Sequence, residues 1–164
     1  MKRITVGFSR STGKFAIFSW LIMLFQWSNF SHAYMRFHSD EANREVVFQA
    51  SGLAVNFMGF ELFKQKETIV KEFELEISEQ AYSSLMGSCV DLLGQPYSMK
   101  QILNSLIYIL FKKNPFNNQI SGWDCSKAIA YELETELGYK IPEDLDVITP
   151  KDLCKYIESV YGKN

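Results

Sequence analysis

Between residues 70 and 77 the chain alternates strictly, with Phe73, Leu75 and Ile77 separated by Glu72, Glu74 and Glu76. A period of two is satisfied only by a strand with one face buried. Its acidic face is read as solvated, not as a metal or catalytic cluster. Shorter apolar runs predict strands over residues 4–8, 30–37 and 44–51, with a further short one around 53–57 between Gly52 and Gly59. Elsewhere the spacing is helical. Helices are predicted over 14–26, over 78–87 continuing to 93 with a stop at Gly94, and over 99–110, where Met99, Ile102, Leu103, Leu106 and Ile107 share a face. A further helix begins near Asp124 and ends at Gly138, where a C-terminal cap favours glycine. The last is capped by Thr149, carries Pro150 in its first turn and reaches about Tyr161. Polar loops fill 9–13 and 112–123, and a charged turn fills 38–43. Strands interleaved with helices, without repeats or low-complexity segments, give one α+β domain over 1–164 with an antiparallel sheet.

Composition narrows the classes. The 164 residues are 47% apolar and 15% aromatic, enough for one ordinary core packed by large rings. A net charge of −2 provides no concentrated basic face, so no nucleic-acid partner is expected. The apolar stretch 15–25 is shorter than the roughly 20 residues of a membrane span, so no transmembrane span is expected. It also fits a signal-peptide core, since Lys2, Arg3, Arg10 and Lys14 precede it and Ser31-His32-Ala33 imitates a cleavage site. A half-buried helix accommodates Trp20, Gln26 and Trp27 better, so a cytoplasmic chain is expected, with secretion as the alternative.

Cys89, Cys125 and Cys154 are odd in number, widely spaced and without a CxxC, which suits free thiols rather than a disulfide framework. With only His32 and His38 to add, no zinc-like ligand set forms, and neither metal nor cofactor is expected. Cys125 stands out by position. With Asp124 as cap it falls in the first turn of a helix, where unpaired N–H groups and the helix dipole favour a thiolate. The plainer reading makes Cys125 the start of a buried stripe with Ile129, Leu133 and Leu137. Cys89 and Cys154 lie inside helical patterns and read as small core residues.

A nucleophilic thiol needs a base. His38 lies in the charged turn, so His32, at the front of its strand, is the candidate. A base in turn needs an orienting group, and Gln49, inside the apolar run of the neighbouring strand, is placed for that role. An outward-facing Gln on an edge strand is the competing reading.

Several segments together resemble the circularly permuted branch of the NlpC-type papain-like amidases, the YiiX/YaeF-like group, in which the histidine strand precedes the cysteine helix. They are Phe30-Ser31-His32-Ala33-Tyr34, Val47-Phe48-Gln49-Ala50-Ser51-Gly52, Gly94-Gln95-Pro96-Tyr97, Asp124-Cys125-Ser126 and Ile148-Thr149-Pro150-Lys151-Asp152-Leu153. Their order spans about residues 5–160. The resemblance implies a permuted papain-like fold in which Cys125 is the nucleophile, His32 the base and Gln49 the third polar residue, with Tyr97 a pocket or oxyanion contributor. Gln stands where that group often has Glu, and Ser98 where Asp is common. The implied activity is thiol-dependent hydrolysis or acyl transfer at an amide or ester, with a peptide, peptidoglycan or lipid-like acyl substrate. The aromatic residues Phe57, Phe60 and Phe63 are compatible with an apolar acyl group, and core packing explains those rings about as well. The alternative is a catalytically idle papain-like binding or inhibitory module, such as one encoded by a virus.

Overall fold

The structure, a computed structural model, describes residues 1–12, 16–39, 43–113 and 121–161. It is α+β. Five strands, β1 (Lys2–Ser11), β2 (His32–Ser39), β3 (Arg44–Ser51), β4 (Ala54–Gly59) and β5 (Glu67–Ile77), form one antiparallel sheet in the order β4-β3-β2-β1-β5. Six helices accompany them among the described residues: α1 (Ala16–Gln26), α2 (Phe60–Lys66), α3 (Glu79–Asp91), α4 (Met99–Phe111), α5 (Cys125–Leu137) and α6 (Pro150–Tyr161). None is long and apolar enough to cross a membrane.

The two faces of the sheet are unequal. Ile4, Val6, Phe8, Ala33, Met35, Phe37, Phe48, Ala50 and Leu75 turn into the main core, where they meet Leu85 of α3, Ile129 and Leu133 of α5, and Leu153 and Ile157 of α6. The opposite face is covered more thinly by α2, whose Phe63 packs with Tyr34 and Val47. Capping explains where the helices begin and end. Ser78, Ser98 and Asp124 each accept an N–H from the first turn of the helix that follows. Thr149 Oγ1 accepts from Asp152 N at 3.2 Å, and Gly138 ends α5 in the left-handed conformation.

Several boundaries differ from those the pattern predicts. Residues 9–11 extend β1 instead of forming a loop, because they pair with the start of β5. β5 itself begins at Glu67, three residues before the clean alternation. Helix α2 has no counterpart in the sequence reading, being shorter than the window in which helical periodicity becomes visible. The predicted solvated face of β5 is in part bonded: Glu72 accepts from the Tyr34 hydroxyl at 2.7 Å and lies 3.2 Å from Arg36 Nη2. Phe57, Phe60 and Phe63 pack against Phe37, Arg36 and Tyr34 rather than lining a cavity for substrate. The predicted helix start at 14–15, the middle of the charged turn at 40–42 and the bulk of the polar loop, 114–120, lie outside the described residues.

One core position carries an electrostatic cost. Glu132 of α5 is fully buried, and among the described residues its carboxyl oxygens have no hydrogen-bond partner within good geometry. Burial pushes its pKa up to about 7; the nearby Ser88 hydroxyl opposes the shift and Glu136 adds to it. The folded state therefore holds this proton where the unfolded chain, titrating near the ordinary 4.5, has lost it. Stability falls as pH rises from the ordinary carboxyl value through about 7 and then levels. Glu132→Gln removes the penalty. Urea unfolding is expected to show the variant more stable than wild type by up to about 3 kcal/mol at mildly alkaline pH and nearly equal to it in mild acid.

Candidate active site

His32 opens β2 directly opposite Ser9 of β1. Its ring turns toward the α2 side of the sheet, 6.3 Å from the Phe63 ring centroid, and Nε2 lies 2.8 Å from Gln49 Oε1. Gln49 is buried because β4 covers β3, so it is not the outward residue of an edge strand. Its amide nitrogen donates to Asn56 Oδ1 at 3.4 Å, which fixes the carbonyl oxygen toward the histidine. A carbonyl oxygen only accepts, so His32 Nε2 carries the proton and Nδ1 keeps its lone pair while the ring is neutral. Burial lowers the His32 pKa and favours that neutral form, with the Glu67 carboxylate the main opposing influence.

Glu67 was not legible as a site residue. Extending the alternation backward from Glu72 places residues 70 and 68 on the His32 face of the sheet. A bulge where β5 crosses Phe8 and Ser9 inserts one residue, so Ile69 and Glu67 face that way instead. Ser9 Oγ then donates to Glu67 Oε2 at 2.9 Å. The site thus contains a carboxylate near the imidazole, supplied by a strand other than the one bearing Gln49.

Cys125 is the first residue of α5, behind an Asp124 cap whose Oδ1 accepts from Lys127 N at 2.8 Å. Gly122, at φ +105, lets the preceding turn lie against the 96–98 segment; a Cβ there would come within 2.7 Å of Pro96 O. The backbone amide of Ala33, the residue after His32, favours the Cys125 thiolate. Ser126 Oγ is 3.9 Å from it. Among the described residues no hydrogen bond joins thiol to imidazole: Ala33 faces the main core while His32 faces Phe63. The two groups line adjoining cavities that share Ile22, Ser31, Ile102 and Leu106 as walls.

The expectation of a thiol with lowered pKa is reversed. Burial pushes Cys125 up to about 12, and the neighbouring Asp124 carboxylate adds to the shift. The amides of Ser126 and Lys127, which the helix-start argument assigns to a thiolate, are directed in part to Asp124. Asp124 is itself raised to about 6 by burial despite those bonds. The resting pair is a neutral thiol and a neutral imidazole. Tyr97 belongs to this neighbourhood, since Cys125 and Asp124 both act electrostatically on its hydroxyl and it lines the larger cavity with His32. Cys89 and Cys154 are buried free thiols in α3 and α6.

The larger cavity, about 310 Å³, lies between α1 and α4. His32, Glu67 and Tyr97 contribute to its lining, and Leu21, Ile22, Ile102 and Leu106 form much of its apolar wall. No protein-family model matches the chain, and no curated protein matches it in sequence. Fold and site together define an α+β domain in which a part-buried His–Gln pair and a helix-start cysteine line adjoining cavities.

Proposed function

We propose that this chain is a thiol hydrolase or acyltransferase of permuted papain-like architecture, with Cys125 as nucleophile, His32 as base and Gln49 as the residue orienting the base. The observation that carries the reading is the 2.8 Å bond from His32 Nε2 to Gln49 Oε1. It leaves Nδ1 as the ring's proton acceptor, on the strand whose next residue, Ala33, supplies an amide that favours the Cys125 thiolate. In the first half-reaction the thiol proton passes to His32 Nδ1 as sulfur bonds to an amide or ester carbonyl carbon. The Cys125 N–H, at the start of α5, is the candidate donor to the developing oxyanion. The imidazolium returns its proton to the leaving amine or alcohol as the C–N or C–O bond breaks, giving a thioester. Water or an acceptor nucleophile then attacks the thioester, losing a proton through His32, and the thiol is regenerated. Glu67 supplies a carboxylate that favours the transient imidazolium, and the hydrogen bond to Gln49 acts in the same direction more weakly.

A second reading, an idle papain-like binding module, draws on the raised thiol pKa and the missing thiol–imidazole bond. Incubation with p-nitrophenyl esters of increasing chain length separates the two. Expected are nitrophenolate release and an acyl mass increment on Cys125 in wild type, both lost in Cys125→Ala and His32→Ala. A wild type that gains no acyl mass at Cys125 leaves the idle module standing.

A further inference from the structure

Two helices that pack on each other carry more apolar surface than the fold consumes. On α1, Ile17, Trp20 and Leu24 form one exposed stripe, and Trp27 just beyond its end is 87% exposed. On α4, Met99, Leu103, Leu110 and Phe111 form another. Exposed apolar side chains are ordinary singly but not as paired stripes with two tryptophans.

Trp27 adds a separate argument. It sits at φ +52, the left-handed region that glycine occupies without strain and a bulky side chain does not. The turn is held by Trp27 N donating to Leu24 O and Ser28 N to Met23 O, with Lys151 Nζ bonded to the Gln26 and Trp27 carbonyls. The Trp27 and Ser28 bonds make a Schellman helix end, so the left-handed backbone caps α1 where glycine is usual; the indole standing there instead is 87% exposed and adds to the apolar face rather than to the core.

Charge says what that is. Among the described residues neither 16–39 nor 92–113 contains an acid, although the chain has 19 acidic against 17 basic residues. Lys100, Lys112 and Lys113 flank the α4 stripe. Tryptophan, aliphatic residues and lysine without acids form the composition that settles at an anionic lipid interface. Met99 and Leu103 both stand on the exposed stripe and line the 310 Å³ cavity, so the cavity wall is continuous with this face.

The geometry points to the α1–α4 face as a docking surface for an anionic phospholipid bilayer, from which an acyl chain enters the cavity beside His32. The docking face stands independently of the thiol chemistry; the acyl chain as cavity occupant rests on the reading proposed above. The chain lies on the surface and does not span it, consistent with helix lengths.

Flotation of the full chain with phosphatidylcholine vesicles, with and without phosphatidylglycerol, tests this. Wild type and Cys125→Ala are both expected to float with the anionic vesicles, with the tryptophan emission shifted to the blue. Trp20→Ser/Trp27→Ser and Lys112→Glu/Lys113→Glu are each expected to bind at least about tenfold more weakly, with unchanged thermal midpoints. Flotation without ester hydrolysis sustains the docking face and removes the thiol reading; hydrolysis of soluble esters without flotation does the reverse. Wild type that stays with the pellet, or a stable dimer that Trp27→Ser converts to monomer, overturns the proposal and gives the face to solvent or to a second copy.

Discussion

At neutral pH, iodoacetamide should modify Cys125 about fiftyfold more slowly in the folded chain than in urea, before access is counted. The thiol is raised from an ordinary 9.0 to about 12 by burial and by Asp124, so the thiolate fraction falls about a thousandfold. A more basic thiolate is intrinsically more nucleophilic, which returns a factor of roughly 20. Access slows the folded chain further, since Cys125 is only 6% exposed. The rate should climb without a plateau through mildly alkaline pH. A plateau in mild acid would reveal a thiolate–imidazolium ion pair instead, and the neutral resting state described above would be wrong. Asp124→Asn should raise the reactivity by removing the carboxylate that opposes the thiolate, while keeping an N-capping oxygen. The same numbers place a demand on the proposed chemistry: an acyl substrate must react faster than iodoacetamide, because only the former can draw on His32 as base and on oxyanion donors.

The parts legible from the sequence were those governed by one short-range rule each. The alternation of Phe73, Leu75 and Ile77 gave a strand, the Asp124 and Gly138 pair bounded α5, and an isolated amide in an apolar run placed Gln49 beside a neighbouring histidine. Long-range geometry was not legible. The bulge that turns Glu67 toward His32 depends on how β5 meets Ser9. The sign of the Cys125 shift depends on how deeply β2 and β3 bury the mouth of α5, and position at a helix start does not reveal burial. The aromatic run 57–63 suits a substrate surface and core packing equally; the rings form packing between α2 and the sheet, and much of the cavity wall falls to aliphatic residues of α1 and α4. Aromatic content predicts that rings will be buried, but not against what.

Gly7→Ala should cost about 3 kcal/mol or more in urea unfolding. Gly7 faces Tyr34 across the β1–β2 pair. A Cβ built on it lies 2.2 Å from the Tyr34 Cζ and 2.5 Å from its hydroxyl oxygen, so the ring must leave. Tyr34 is fully buried, donates to Glu72 at 2.7 Å and packs 4.5 Å from the Phe63 centroid. Displacing it forfeits a charge-assisted hydrogen bond and an aromatic contact and leaves space beneath α2. Because the loss is one steric event, Tyr34→Ala should absorb most of it. The double variant is expected to fall short of the summed single losses by about 2 kcal/mol, a coupling that additive sites do not show. The event also reaches the site. Phe63 stands between Tyr34 and His32, so a ring driven off Gly7 pushes on the aromatic wall that holds the imidazole against Gln49. Under the acyl-transfer reading, Gly7→Ala protein that remains folded should lose kcat with little change in KM, because the base is misplaced while the apolar wall that α1 and α4 give the cavity is untouched. Equal losses in both would mean that the sheet carries the cavity as well as the base, and that the two are not separable in this fold.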